Sequence, residues 1–154
     1  MKYVTRVLQP GEAVVHQSHL HPLIFLPALL WLAVAVAFLV AAVMVQQVEI
    51  WLACLIGAAV FGLFALISGL RAWIRRITTE LAITDRRVIY KSGLLSRHTL
   101  EMNRSKVESV DVDQSILGRM FGFGTIILRG TGGSLEPMRM ISDPLVFRSH
   151  ITAT

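Results

Sequence analysis

Two long apolar blocks fill much of the first half of the chain, and short alternating runs fill the second. Residues 23–70 contain no Lys or Arg and a single acid, Glu49. Within this block, segments 23–45 and 50–70 are each close to the roughly 20 residues that cross a bilayer as a helix. The pattern predicts two spanning helices. Their connector, Gln46, Gln47, Val48 and Glu49, is so short that they must run antiparallel as a hairpin with both chain ends on one side.

After Arg76 the periodicity shortens to that of half-buried antiparallel strands separated by turn residues. Leu81 and Ile83 share one face of a strand at 79–84, Asp85 and Arg86 form a tight turn, and Val88 and Tyr90 point inward from a strand at 87–92. Gly93 breaks that strand. Further strands are expected at 95–102, 107–114, 125–130 and 135–141, with a Gly-rich turn at 131–134 and Pro137 marking an edge strand. Asp143 followed by Pro144 is a helix-start signal. Phe147 and Ile151, four apart, would plug one open end of the sheet.

Composition sharpens this division. Of 154 residues, 54% are hydrophobic and 16% charged, against roughly 25% charged in a soluble domain. This excludes a disordered chain. Segment 1–22 lies before the hairpin (23–70), and 71–154 can form one small domain. Lys2 and Arg6 before the first span, and Arg71, Arg75 and Arg76 after the second, put both termini in the cytoplasm by the positive-inside rule. A cleaved signal peptide is the competing reading, but the first apolar stretch exceeds the roughly 7–15 residues of such a region.

Cys54 is the sole cysteine, so an intramolecular disulfide and a multi-cysteine zinc site are excluded. No ionisable residue falls at mid-membrane depth, so transport by this chain alone is not expected. The pI near 10.1 raises nucleic acid as a partner, but the basic residues are scattered and partly used for topology, and none is expected.

Several groups are candidates for interaction. Arg71, Trp73, Arg75 and Arg76 form an interfacial anchor that could hold anionic headgroups. Small residues recur at Ala33, Ala37 and Ala41 and at Ala58, Gly62, Ala65 and Gly69, where they either pack the hairpin on itself or hold protomers together. Leu117, Met120, Phe121 and Phe123 cluster among glycines in 115–124. Their helical spacing reads as a turn closing the sheet, or else as an exposed apolar loop for a partner or a membrane.

His16, His19 and His21 could be imagined as metal ligands, but an irregular segment makes a poor cage and no metal is expected. The turn at 130–134 lacks the Lys and following helix of a phosphate cradle. Asp111 and Asp113 alternate on what looks like a solvated strand face. No catalytic constellation appears and no cofactor is expected.

The order and spacing of Pro10, Gly11 and Glu12, then His21 and Pro22, then Leu81-Ala82-Ile83-Thr84-Asp85-Arg86-Arg87-Val88-Ile89, and finally Gln114-Ser115-Ile116-Leu117-Gly118-Arg119-Met120-Phe121-Gly122-Phe123-Gly124-Thr125 resembles the bacterial pleckstrin-homology-like (PH-like) membrane proteins. The resemblance covers nearly the whole chain. It implies an α+β membrane protein: a two-helix transmembrane hairpin followed by a split seven-strand barrel with a C-terminal helix. The tail supplies about six strands. Segment 3–8 is expected to pair with the domain as the seventh, a short disordered arm being the alternative.

Phosphoinositide-binding PH domains present several basic residues between their first two strands, whereas this turn offers Arg86 and Arg87, which argues against that ligand. Fold does not transfer a ligand. The chain is therefore read as a non-enzymatic protein of the bacterial cytoplasmic membrane whose PH-like domain is a binding and assembly module, contacting lipids and forming a homo-oligomer. The alternatives are an accessory subunit beside a membrane-protein partner, such as a transporter or enzyme, and a sensor of anionic lipid.

Overall fold

A computed structural model describes residues 3–94, 98–131 and 135–152, with the side chains of 135 and 136 left aside. The chain divides into two compact units, one of residues 22–74 and one combining 1–21 with 75–154. In chain order the elements are α1 (Val4–Val7), β1 (Val14–Ser18), a 3-10 turn (Pro22–Phe25), α2 (Leu26–Met44), α3 (Val48–Thr78), β2 (Glu80–Thr84), β3 (Arg87–Ser92) and β4 (His98–Asn103). A 3-10 turn (Arg104–Lys106), β5 (Val107–Asp113), α4 (Ile116–Phe121), β6 (Phe123–Gly130), β7 (Leu135–Ser142) and α5 (Pro144–Thr152) follow.

The hairpin unit consists of two helices long and apolar enough to cross a membrane. Its packing is aromatic and small-residue. Trp31 and Phe38 both stack on Phe61, with ring centroids 5.6 and 5.4 Å apart. Gly57 makes room for Phe38, because a Cβ there would lie 2.8 Å from its ring. Ala35 and Ala42 of α2, and Ala58, Ala65 and Ala72 of α3, are buried. Each series repeats every seven residues, the period of a narrow left-handed seam.

That seam excludes one of the two readings for the first helix, in which its small residues pack the hairpin on itself. Ala33, Ala37 and Ala41 are exposed, because two helices meet only along one line and in α2 that line runs through Ala35 and Ala42. Most other apolar side chains of the hairpin point outward. Lipid, not protein, is the solvent that such a surface suits.

In the sheet unit all pairings are antiparallel, in the orders β1-β2-β3-β4 and β5-β6-β7. One corner closes where Leu20 bridges Ile141 and the His21 N–H donates to the Met140 carbonyl at 2.8 Å. Met140 adopts φ 62° there, a left-handed bulge that aims its carbonyl at the neighbouring strand. Thus β7 is an edge at Pro137 but is covered at its end.

Thr131 N–H donates to Lys106 O, extending the β5–β6 ladder by one bond. Leu81, Ile83, Val88, Ile126, Leu128, Met138 and Ile141 are fully buried, and α5 adds Phe147 and Ile151.

Segment 3–8 is not the seventh strand. Val14–Ser18 takes that place beside β2, while Val4–Val7 forms a single helical turn. The Glu80 carboxylate explains the difference, since it accepts the Tyr3 and Val4 N–H groups at 3.1 Å each, satisfying amides at a helix start. Val4 then packs with Ala82 and Ile89 on the second face of the sheet. As a result both faces of β2 are covered, and Ile89 is buried deeper than Tyr90. The strand expected from 95 begins at His98; residues 95–97, like the turn residues 132–134, lie outside the described residues.

Because Ser18 pairs with Leu81, the end of β1 and the start of β2 lie side by side. One link to the hairpin unit follows β1 directly, and the other runs through residues 75–78 of α3 into β2. His21 directly precedes Pro22, and Thr79 directly follows α3.

Candidate functional site

Two motifs far apart in sequence meet in an ion cluster. Arg87 donates from Nε and Nη2 to the two oxygens of Glu12 at 2.9 and 2.8 Å, from Nη1 to Glu101 at 2.6 Å, and from Nη2 to the Val7 carbonyl at 2.8 Å. Glu12 also accepts from Thr84 Oγ1 at 2.7 Å and Gln9 N–H at 2.8 Å. Its side chain is fully buried. The hydrogen bond from Arg87, with those from Gln9 and Thr84, outweighs the burial penalty and lowers its pKa to about 2.

Arg87 is thereby committed to holding the N-terminal segment on the β2–β3 turn and is not presented to a ligand. Arg86 stays exposed beside Asp85. Sequence alone does not pair Glu12 with Arg87, although Pro10-Gly11-Glu12 and Thr84-Asp85-Arg86-Arg87 both stand out in it. Their opposite charges were the available signal.

The block at 114–125 shows a similar division of labour. Gln114 Nε2 donates to the Phe123 carbonyl at 3.0 Å. Ser115 caps α4 by accepting the Gly118 N–H at 3.1 Å, and Gly122 ends the helix in a left-handed conformation, φ 73°. Gly118 lies against β6, where a Cβ would come within 2.6 Å of the Phe123 carbonyl oxygen. The polar and glycine positions are thus used to seat the helix.

The apolar positions are turned outward: Ile116 is 81% exposed, Met120 72%, Leu117 56% and Phe121 52%. Of the two readings of this loop, closure is performed by the glycine backbone and the half-buried Phe123, while Leu117, Met120 and Phe121 form surface. Leu145 and Val146 at the start of α5 are exposed as well. A shallow cleft of about 290 Å³ lined by Arg119, Gly122, Leu145 and Val146 connects the two helices. Ile116, Leu145 and Val146 were not picked out as a surface from sequence.

The histidines take packing positions. His16 stacks on His150 with centroids 4.4 Å apart and meets Phe147 edge-on. Burial, then the neighbouring His150, lowers its pKa, against a smaller opposing pull from Asp143. The His21 ring lies 5.4 Å from that of Phe123, which places the end of α4 beside the link to the hairpin. Among the described residues no group of three or more His, Cys, Asp or Glu could hold a metal.

In the last turns of α3, Arg71, Trp73, Arg75 and Arg76 are all exposed. Ala58 and Ala65 lie in the hairpin seam, whereas Gly62 and Gly69 are half-buried beside it. With Ala28, Ala65, Leu66 and Trp73 these glycines line an apolar cleft of about 630 Å³. A Cβ at Gly62 would meet nothing within 4 Å. Asp111 pairs with Arg129 at 3.2 Å, both half exposed.

A hairpin of two long apolar helices with a two-sheet domain closed by a C-terminal helix defines a membrane-associated PH-like protein. The family model for the bacterial PH domain matches residues 22–153, and the chain belongs to that family. The match takes in the hairpin as well as the sheets, and starts after β1 and Glu12. Comparisons with curated proteins and with solved structures give no match.

Proposed function

We propose that this chain is a multi-pass protein of the bacterial cytoplasmic membrane, with both termini cytoplasmic, whose PH-like domain is a non-enzymatic binding and assembly module that works as a homo-oligomer in contact with lipid. The observation that carries the reading is the fate of the family motifs. Their polar groups, Glu12, Thr84, Arg87, Gln114 and Ser115, bond to one another or to the backbone. Asp85, Arg86 and Arg119 stay exposed, but the four motif residues turned outward together are apolar, Ile116, Leu117, Met120 and Phe121, and such a surface suits binding. Arg71, Arg75 and Arg76 support the stated orientation.

The cleft at Gly62 supports self-association, because small residues let a neighbouring helix approach closely. Its open space makes a clean test. In native mass spectrometry of protein extracted gently from its own membrane, the expected result is a homomeric mass that Gly62→Leu reduces to monomer. A mass including a second protein would make the chain an accessory subunit instead. A monomer carrying only anionic phospholipid would favour a surface sensor.

A further inference from the structure

We propose that α4 is an interfacial wedge: Ile116, Leu117, Met120 and Phe121 insert into the headgroup region of the membrane to which the hairpin tethers the domain. The proposal rests on the hairpin spanning the bilayer, and goes beyond it by assigning a lipid-contacting surface to the domain itself.

Three observations select lipid over protein. The first is covalent. Leu20 bridges Ile141, one residue later His21 packs on Phe123, and the next residue, Pro22, begins the hairpin unit. Along the chain, the His21–Phe123 contact beside α4 is thus one residue from the start of the hairpin unit. The second link is helical: α3 runs unbroken from the hairpin unit into the sheet unit and ends at Thr78, just before β2, the strand beside β1.

The second is shape. A helix with a core-facing stripe would bury its apolar side chains, but Gly118 is the residue pressed on β6. The pairs Ile116/Met120 and Leu117/Phe121, each four apart, are consequently both displayed. An interfacial element needs such a display, with its apolar side sunk shallowly at the boundary of headgroup and acyl chain.

The third is charge. Between Gln114 and Thr125 the only ionisable residue is Arg119, which is exposed on the flank of the Ile116/Met120 pair. A cation in that place suits an anionic leaflet, and a carboxylate there would oppose insertion.

The test uses the full-length protein with Cys54 replaced by Ser, reconstituted into mixed phosphatidylcholine and phosphatidylglycerol vesicles. Single cysteines are introduced as Met120→Cys, as Thr99→Cys on exposed β4, and as Leu63→Cys on the outer face of α3, and each is labelled with bimane. Exposed positions are used so that the labels leave the fold undisturbed. The expected result is that lipids brominated in their acyl chains quench most of the Met120 and Leu63 emission, while aqueous iodide quenches mainly Thr99.

If Leu63 is quenched by brominated lipid but Met120 by iodide, the wedge is overturned and the spanning hairpin stands. If Met120 is shielded from both quenchers, a protein surface covers α4 and the lipid assignment is overturned. If Leu63 is itself quenched by iodide, the spanning hairpin fails, and the wedge fails with it.

Discussion

As a carboxylate Glu12 is acceptor-only, and four hydrogen bonds converge on it from Gln9, Thr84 and Arg87. Removing the cation strands a buried negative charge. Arg87→Met is therefore expected to destabilise the sheet unit by about 3–5 kcal/mol, the usual cost of leaving one member of a buried pair unpartnered, read as a fall in the thermal midpoint of the purified protein.

Acid should act on the same cluster. The pKa of Glu12 is lowered from 4.5 to about 2, so its contribution is complete above the unfolded value and is lost as pH falls from about 4.5 towards 2. The shift corresponds to roughly 3 kcal/mol. His16 adds an earlier step. Its folded pKa is depressed below 6.5, so the unfolded chain takes up the proton first and stability starts to fall just below that pH. Circular dichroism melts across this range should show both steps, and His16→Gln should remove only the one nearer neutrality.

Helix α4 depends on its backbone more than on its side chains. Gly118→Ala would drive a methyl group against the Phe123 carbonyl oxygen at 2.6 Å, a position that cannot swing away as a side-chain end can. A loss of about 1–3 kcal/mol is expected, the range for overpacking, with chemical-denaturation midpoints as the measure. The contrast with Gly62, where added bulk meets nothing, separates glycines kept for contact inside a unit from those bordering open space.

The same distinction governs what could be read from sequence. Strands bounded by turn residues, such as β3 at Arg87–Ser92 between Asp85-Arg86 and Gly93, lie where the pattern predicts. Segment 3–8 misled because Tyr3, Val4 and Val7 favour strands locally, while the Glu80 carboxylate, seventy-odd positions away, holds that start as a helix. In 115–124, helical spacing signalled α4 correctly, but spacing carries no information on which side faces the core. Gly118 decides that, and only through the approach of β6.

At the scale of the whole chain, the domain is built from two stretches separated by the hairpin. β1 and Glu12 precede the apolar helices; β2, Glu80 and Arg87 follow them. The first stretch cannot find its partners until the second has been synthesised, and the two can meet only on the same side of a membrane. A chain that inserted one helix and not the other would leave Ser18 without Leu81, Arg87 without Glu12, and Glu80 without the amides of α1. With the hairpin spanning the bilayer as proposed, closure of the sheet unit requires both helices to be inserted: a chain with its two stretches on opposite sides retains an open sheet edge and a buried-type charge without its partner.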